Sequence, residues 1–167
     1  LRRASLITHF AVAAALEALG LDSPPAQPWP PASRLGILFT STTGSVIYSR
    51  RFFDEVLRDP ATASPMLFPE TVYNAPASHL AALLGVQHRL QTEVGDPTCF
   101  LNAIRTAALW LDLNAVDACL VVAAEEADWL SAEGSSLLDR HRVTAEGAGA
   151  LLLARETNGT ALARLTV

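Results

Sequence analysis

The 167-residue sequence contains no lysine. That absence excludes a Schiff-base lysine, a Walker-type phosphate lysine and any lysine general base on this chain. Cysteine is nearly as scarce. Cys99 and Cys119 form no disulfide framework, which suits a reducing compartment, so a cytoplasmic location is expected. No apolar run reaches the ~18 residues of a membrane-spanning helix. There is no signal-peptide pattern, and residue 1 is Leu rather than Met, so a processed or truncated chain is expected. Runs of basic residues are missing and the net charge is −5, which argues against nucleic acid and anionic membrane as partners. His9, His79, His88 and His141 have no metal-ligand spacing, so no metal is expected. GxSxG is missing, and so is GxxxxGK[ST]. The stretch GAGALL (147–152) lacks a third glycine and precedes a strand instead of following one, which argues against a dinucleotide. No cofactor is implied.

What is present is a globular composition. Half the residues are hydrophobic, 17% are charged and 29 are alanine, enough for one domain with a sizeable core. Residues 6–19 (LITHFAVAAALEAL) are apolar almost all round and predict a buried helix stopped at Gly20, with His9 as a buried structural histidine. Five prolines in 22–33 predict an extended surface loop. The run LGILF (35–39) predicts a buried strand. It leads through TSTTGS (40–45) into a helix over 46–59, and this strand–loop–helix order is an α/β signature. The loop could cradle a phosphate through its N–H groups, but a plain strand-to-helix turn is the favoured reading.

Prolines make 60–76 irregular. A helix is expected over 77–85, a strand over 88–94, a long helix over 98–113 and a central strand over 117–127. Ser78 and His79 are adjacent and are not read as nucleophile and base. Residues 131–147 read as loop-rich. GALLLAR (149–155) and ALARLTV (161–167) read as strands joined by a hairpin at Asn158-Gly159. The expected architecture is one layered α/β domain with a mixed sheet.

The chemistry concentrates at VGDPTC (94–99). Asp96 is a good helix N-cap and Pro97 suits the first helical position, placing Thr98 and Cys99 in the first turn. A thiol there feels the positive end of the helix dipole, which favours thiolate, while Asp96 opposes it. Two readings of Cys99 stand: a nucleophile on a strand-to-helix elbow, or a small buried cysteine. Cys119, inside an apolar strand, is core. Glu125-Glu126 ends that strand with side chains on opposite faces, and a solvated strand end is expected.

Four stretches resemble the N-terminal half of the β-ketoacyl synthases, the condensing enzymes of fatty-acid and polyketide synthesis: RLGILFTSTTGS (34–45), FPETVYNAPASHLAALLGVQHRLQTEV (68–94), NAIRTAALWLDLNAVDACLVVAAEEA (102–127) and VTAEGAGALLLAR (143–155). The resemblance covers roughly residues 1–167, and the EGAG segment at its distance after VDACLVVAAEE is the most specific. The resemblance implies one half of a thiolase-like fold, layered α/β/α with a mixed, mostly buried sheet, lacking the family's opening strand and C-terminal half. It also implies acyl transfer. In the family an elbow cysteine takes the acyl group and two histidines of the second half assist decarboxylation of a malonyl thioester.

Counted without gaps from LGV (84–86), Pro97 falls where the family's cysteine stands and Cys99 comes two residues later. The reading implied is a degenerate or partner subunit that handles acyl thioesters on a carrier protein. Cys99 is then a candidate nucleophile only, with the Thr98 and Cys99 N–H groups as oxyanion donors. The partners implied are acyl carrier protein thioesters, and a homodimer or a heterodimer with a ketosynthase. The alternatives are an active synthase working through Cys99 whose second half is absent from this sequence, and a purely structural domain with a dimer seam along strand 117–127. The chain is not expected to condense acyl groups alone.

Overall fold

The computed structural model describes residues 2–23, 34–141, 143–155 and 163–164. The elements in order are α1 (Leu6–Ala18), β1 (Leu35–Ser41), α2 (Val46–Arg58), α3 (Phe68–Thr71), α4 (Ala75–Leu84), β2 (Leu90–Val94), α5 (Cys99–Asp112), β3 (Ala118–Glu125), α6 (Trp129–Leu138) and β4 (Gly147–Ala154). The prolines of 24–33, the Asn158-Gly159 turn and most of 161–167 lie outside the described residues.

The sheet runs β2-β1-β3-β4. β1 is parallel to both β2 and β3, and β4 is antiparallel to β3, so the sheet is mixed as expected. β1 is buried along its whole length because helices cover both faces. Its odd residues Leu35, Ile37 and Phe39 join Leu120, Val122 and Ala124 of β3 under α1 and α4. Leu38 joins Cys119 and Val121 under α5, against Ala103, Ala107 and Trp110. Two-residue alternation thus splits one apolar strand between two cores and fixes the α/β/α layering. Each buried Leu, Ile, Val or Phe among them contributes roughly 1.5–3 kcal/mol through burial.

Three expectations need correction here. His9 is exposed, since α1 buries the stripe Ile7, Thr8, Ala11, Val12 and Ala15. A helix apolar on every side gives no sequence signal of which face turns inward. Residues 129–138 form a helix where loop was expected. Asp128 and Ser131 build a capping box, the Asp128 carboxylate facing the Leu130 N–H at 3.4 Å and the Ser131 hydroxyl accepting from the Asp128 N–H at 2.9 Å. A dimer seam along 117–127 is not available, because β3 is hydrogen-bonded on both sides.

At the amino end of the parallel strands, Arg34 Nη2 donates to Asp117 Oδ1 at 2.8 Å and to Asn114 Oδ1 at 3.0 Å. Arg155 Nη1 donates to Asn114 Oδ1 at 2.7 Å and to the Leu111 carbonyl at 2.9 Å. The two arginines pin the turn between α5 and β3, where Asn114 takes a left-handed φ of 53°.

Candidate functional site

The carboxyl ends of β1, β2 and β3 lie side by side, which is where open α/β sheets place their ligand crevices. Thr40 and Ser41 end β1, Glu93 and Val94 end β2, and Glu125 ends β3. Cys99 opens α5 just beyond β2, with its Cβ close to Gly95.

Asp96 does not cap α5 directly. Its Oδ1 accepts from the Thr98 N–H at 2.8 Å and the Thr98 hydroxyl at 2.5 Å, closing an Asx turn before the helix. Those bonds hold the Asp96 carboxyl below its ordinary value. Pro97 is an exposed residue of that turn and does not begin the helix. The Cys99 N–H donates to the Asp96 carbonyl at 2.9 Å. Both N–H groups expected as oxyanion donors are therefore engaged within the turn.

Cys99 itself is buried, 8% exposed. Burial pushes its thiol up from the ordinary value, and Glu125 and Glu93 push the same way. Hydrogen bonds from Thr40 and the Phe100 N–H pull against them. Although Cys99 opens a helix, its thiol thus lies above its ordinary value, with burial the largest cause. Cys119 is fully buried in β3, its thiol pushed up to about 12 by desolvation, and belongs to the core.

The residues that sequence reasoning passed over are the two glutamates. Glu126 is buried, and Glu125, though partly exposed, is hydrogen-bonded by its own chain. Glu125 turns to the α5 side and accepts from the N–H of Thr42, from the Thr43 N–H at 3.2 Å, from the Thr43 hydroxyl at 2.9 Å and from the Ser41 hydroxyl at 3.2 Å. Glu126 turns the other way and is 1% exposed. It accepts from Ile7 N–H at 3.1 Å and Ile47 N–H at 2.8 Å, joining the starts of α1 and α2. Burial raises the Glu126 carboxyl, and Glu146 and Asp128 add to the rise. The loop 40–45 therefore spends donors on the chain's own acids, in keeping with a strand-to-helix turn. Its shape depends on Gly44, at φ +67°, where an added Cβ would lie 2.5 Å from the Tyr73 ring.

His79, on α4, pairs with Glu70 through Nε2 at 2.7 Å rather than with Ser78, and the other Glu70 oxygen accepts from the Ser5 N–H at 3.2 Å. This pair stands on the α1–α4 face, away from α5. His88 and His141 are exposed. Among the described residues no three His, Cys, Asp or Glu side chains form a metal-sized group, and no helix is long and apolar enough to cross a membrane.

No protein-family profile matches the chain, and no curated protein matches it. Solved structures do. The ishigamide ketosynthase/chain length factor superposes with a TM-score of 0.76 at 20% identity, over 91% of this chain and 44% of that one. The ketosynthase ApeO in complex with its chain length factor ApeC, from Xenorhabdus doucetiae, matches with a TM-score of 0.71 at 20% identity, over 94% and 60%. A type II polyketide synthase acyl-carrier protein in complex with its ketosynthase, AntDE:AntF, gives a TM-score of 0.72 at 14% identity, over 89% and 43%. The chain spans 44% to 60% of the first two structures it matches. The fold is that of the ketosynthases, a thiolase-like α/β/α half.

Proposed function

We propose that this chain is a ketosynthase-like domain of polyketide- or fatty-acid-type biosynthesis that acts as a non-condensing partner, helping to hold acyl thioesters presented by a carrier protein. One observation carries the reading: the cysteine at the elbow is buried, which disfavours its thiolate as do the charges of Glu125 and Glu93, and the N–H groups beside it are engaged. A thioester-forming cysteine needs the reverse, a stabilised thiolate and free donors for the oxyanion. The likeness to ketosynthase/chain length factor pairs supports a paired subunit, and the carrier-protein complex among the similar structures supports acyl thioesters as the cargo. A partner would add to β2, an edge of the described sheet, whose Leu90, Gln91 and Val94 are exposed.

The experiment is to incubate the chain with an acyl-carrier thioester and with iodoacetamide, following Cys99 by mass spectrometry. Slow alkylation at neutral pH, faster as pH rises, and no acyl-enzyme are expected. A stable acyl adduct on Cys99 overturns the proposal in favour of an active synthase. That second reading has one observation behind it, the position of Cys99 as the first residue of α5, just beyond the carboxyl end of β2. Copurification with a ketosynthase, lost when Leu90 and Val94 become charged, separates a partner subunit from a purely structural domain.

A further inference from the structure

We propose that Glu125 is a built-in occupant of an anion cradle in loop 41–44, a carboxylate plug that keeps the carboxyl end of the sheet closed to small external oxyanions. This goes beyond the partner reading and holds whether or not Cys99 reacts. Four donors from three consecutive residues converge on one carboxylate: the Ser41 hydroxyl, the Thr42 N–H, and the N–H and hydroxyl of Thr43. Successive N–H groups aimed at one point make an anion-binding concavity. Here the anion is supplied by the chain itself. The cradle also has braces other than the plug. The Gly44 N–H donates to the Ser41 hydroxyl oxygen at 2.8 Å, and the Tyr73 ring packs where a Gly44 side chain would lie. Removing the carboxylate therefore leaves the donors held in place with nothing to bind. The neighbouring acid cannot replace it, since Glu126 points to the opposite face and is bonded to Ile7 and Ile47. The plug sits near the thiol: Ser41, which donates to Glu125, accepts at its carbonyl from the Gly95 N–H at 3.4 Å, and Gly95 lies against the Cβ of Cys99. The ligand class that would fit an opened cradle is a small oxyanion, a phosphate or a carboxylate.

The test uses the full chain as wild type, Glu125→Ala and Glu125→Gln, titrated with inorganic phosphate and with acetate while the amide signals of Thr42 and Thr43 are followed by NMR. The wild type is expected to show no response, and Glu125→Ala saturable shifts confined to loop 41–44. Glu125→Gln, which keeps the side-chain volume without the charge, should respond more weakly and is the deciding variant if the alanine form does not fold. The proposal is overturned if the folded variants show no saturable shift, or if the wild type binds phosphate as well as they do.

Discussion

Asp117 and Glu126, just before and just after the central strand β3, are satisfied in opposite ways. At the amino end Asp117 meets cations: Arg34 at 2.8 Å and Arg155 at 3.5 Å, all partly exposed. Their attraction and hydrogen bonds hold the Asp117 carboxyl below its ordinary value. At the carboxyl end Glu126 meets only backbone N–H groups and like charges, and burial pushes it up. An exposed carboxylate among arginines is cheap to ionise, whereas a buried one among amides is not. The end that carries the ordinary surface chemistry is a structural clamp. The end that carries perturbed acids and a perturbed thiol is where a functional site is sought.

Breaking the buried end should have the largest effect. Glu126→Ala leaves the N–H groups of Ile7 and Ile47 without an acceptor and opens a cavity between α1 and α2, a loss of about 3 kcal/mol, read from urea unfolding. A smaller loss, about 2 kcal/mol, is expected for Gly44→Ala, which combines a left-handed backbone with a collision against Tyr73. Tyr73→Ala in the Gly44→Ala background should recover the part due to collision, and no recovery would assign the whole cost to the backbone. The smallest effect sharpens the contrast itself. Glu126 has its folded value raised above the ordinary 4.5, so its contribution is full below that pH and is lost as pH rises through the folded value. Asp117 has its value lowered from 3.8, so its contribution is present above that pH and is lost as pH falls through the folded value. Stability of the wild type relative to Glu126→Gln should fall with rising pH, and relative to Asp117→Asn it should rise. Equal slopes in thermal melts across pH 3–7 would contradict the comparison.

The layered fold was legible because its signals are repetitive. LGILF and ACLVV announce buried strands by unbroken apolar runs, and spacing places α2 and α5 within about a residue of their observed ends. The helix over 129–138 was hidden by Gly134 and three serines, which read as loop, although Asp128 and Ser131 stand at capping-box spacing at its start. The fate of Glu125 and Glu126 was not legible. Strand alternation sends them to opposite faces, but what waits on each face is backbone N–H from Thr42, Thr43, Ile7 and Ile47. Every residue except proline carries such a group, so sequence cannot mark it as a partner. The same limit applies to Thr98 and Cys99, whose N–H groups are taken up by Asp96 two and three residues earlier.

The central strand has a consequence for how the chain is made. Ile37 finds its neighbours only at Leu90 on one side and Leu120 on the other, so β1 cannot be completed by anything near it in sequence. During synthesis this mostly apolar strand can meet β2 first but lacks its second neighbour until Leu120 emerges, roughly 4–17 s later at ~5–20 residues per second. β3 and β4 are closer in sequence and antiparallel, and they can pair soon after both exist. The sheet's connectivity therefore makes β1–β3 a long-range pairing, closed only after most of the chain exists.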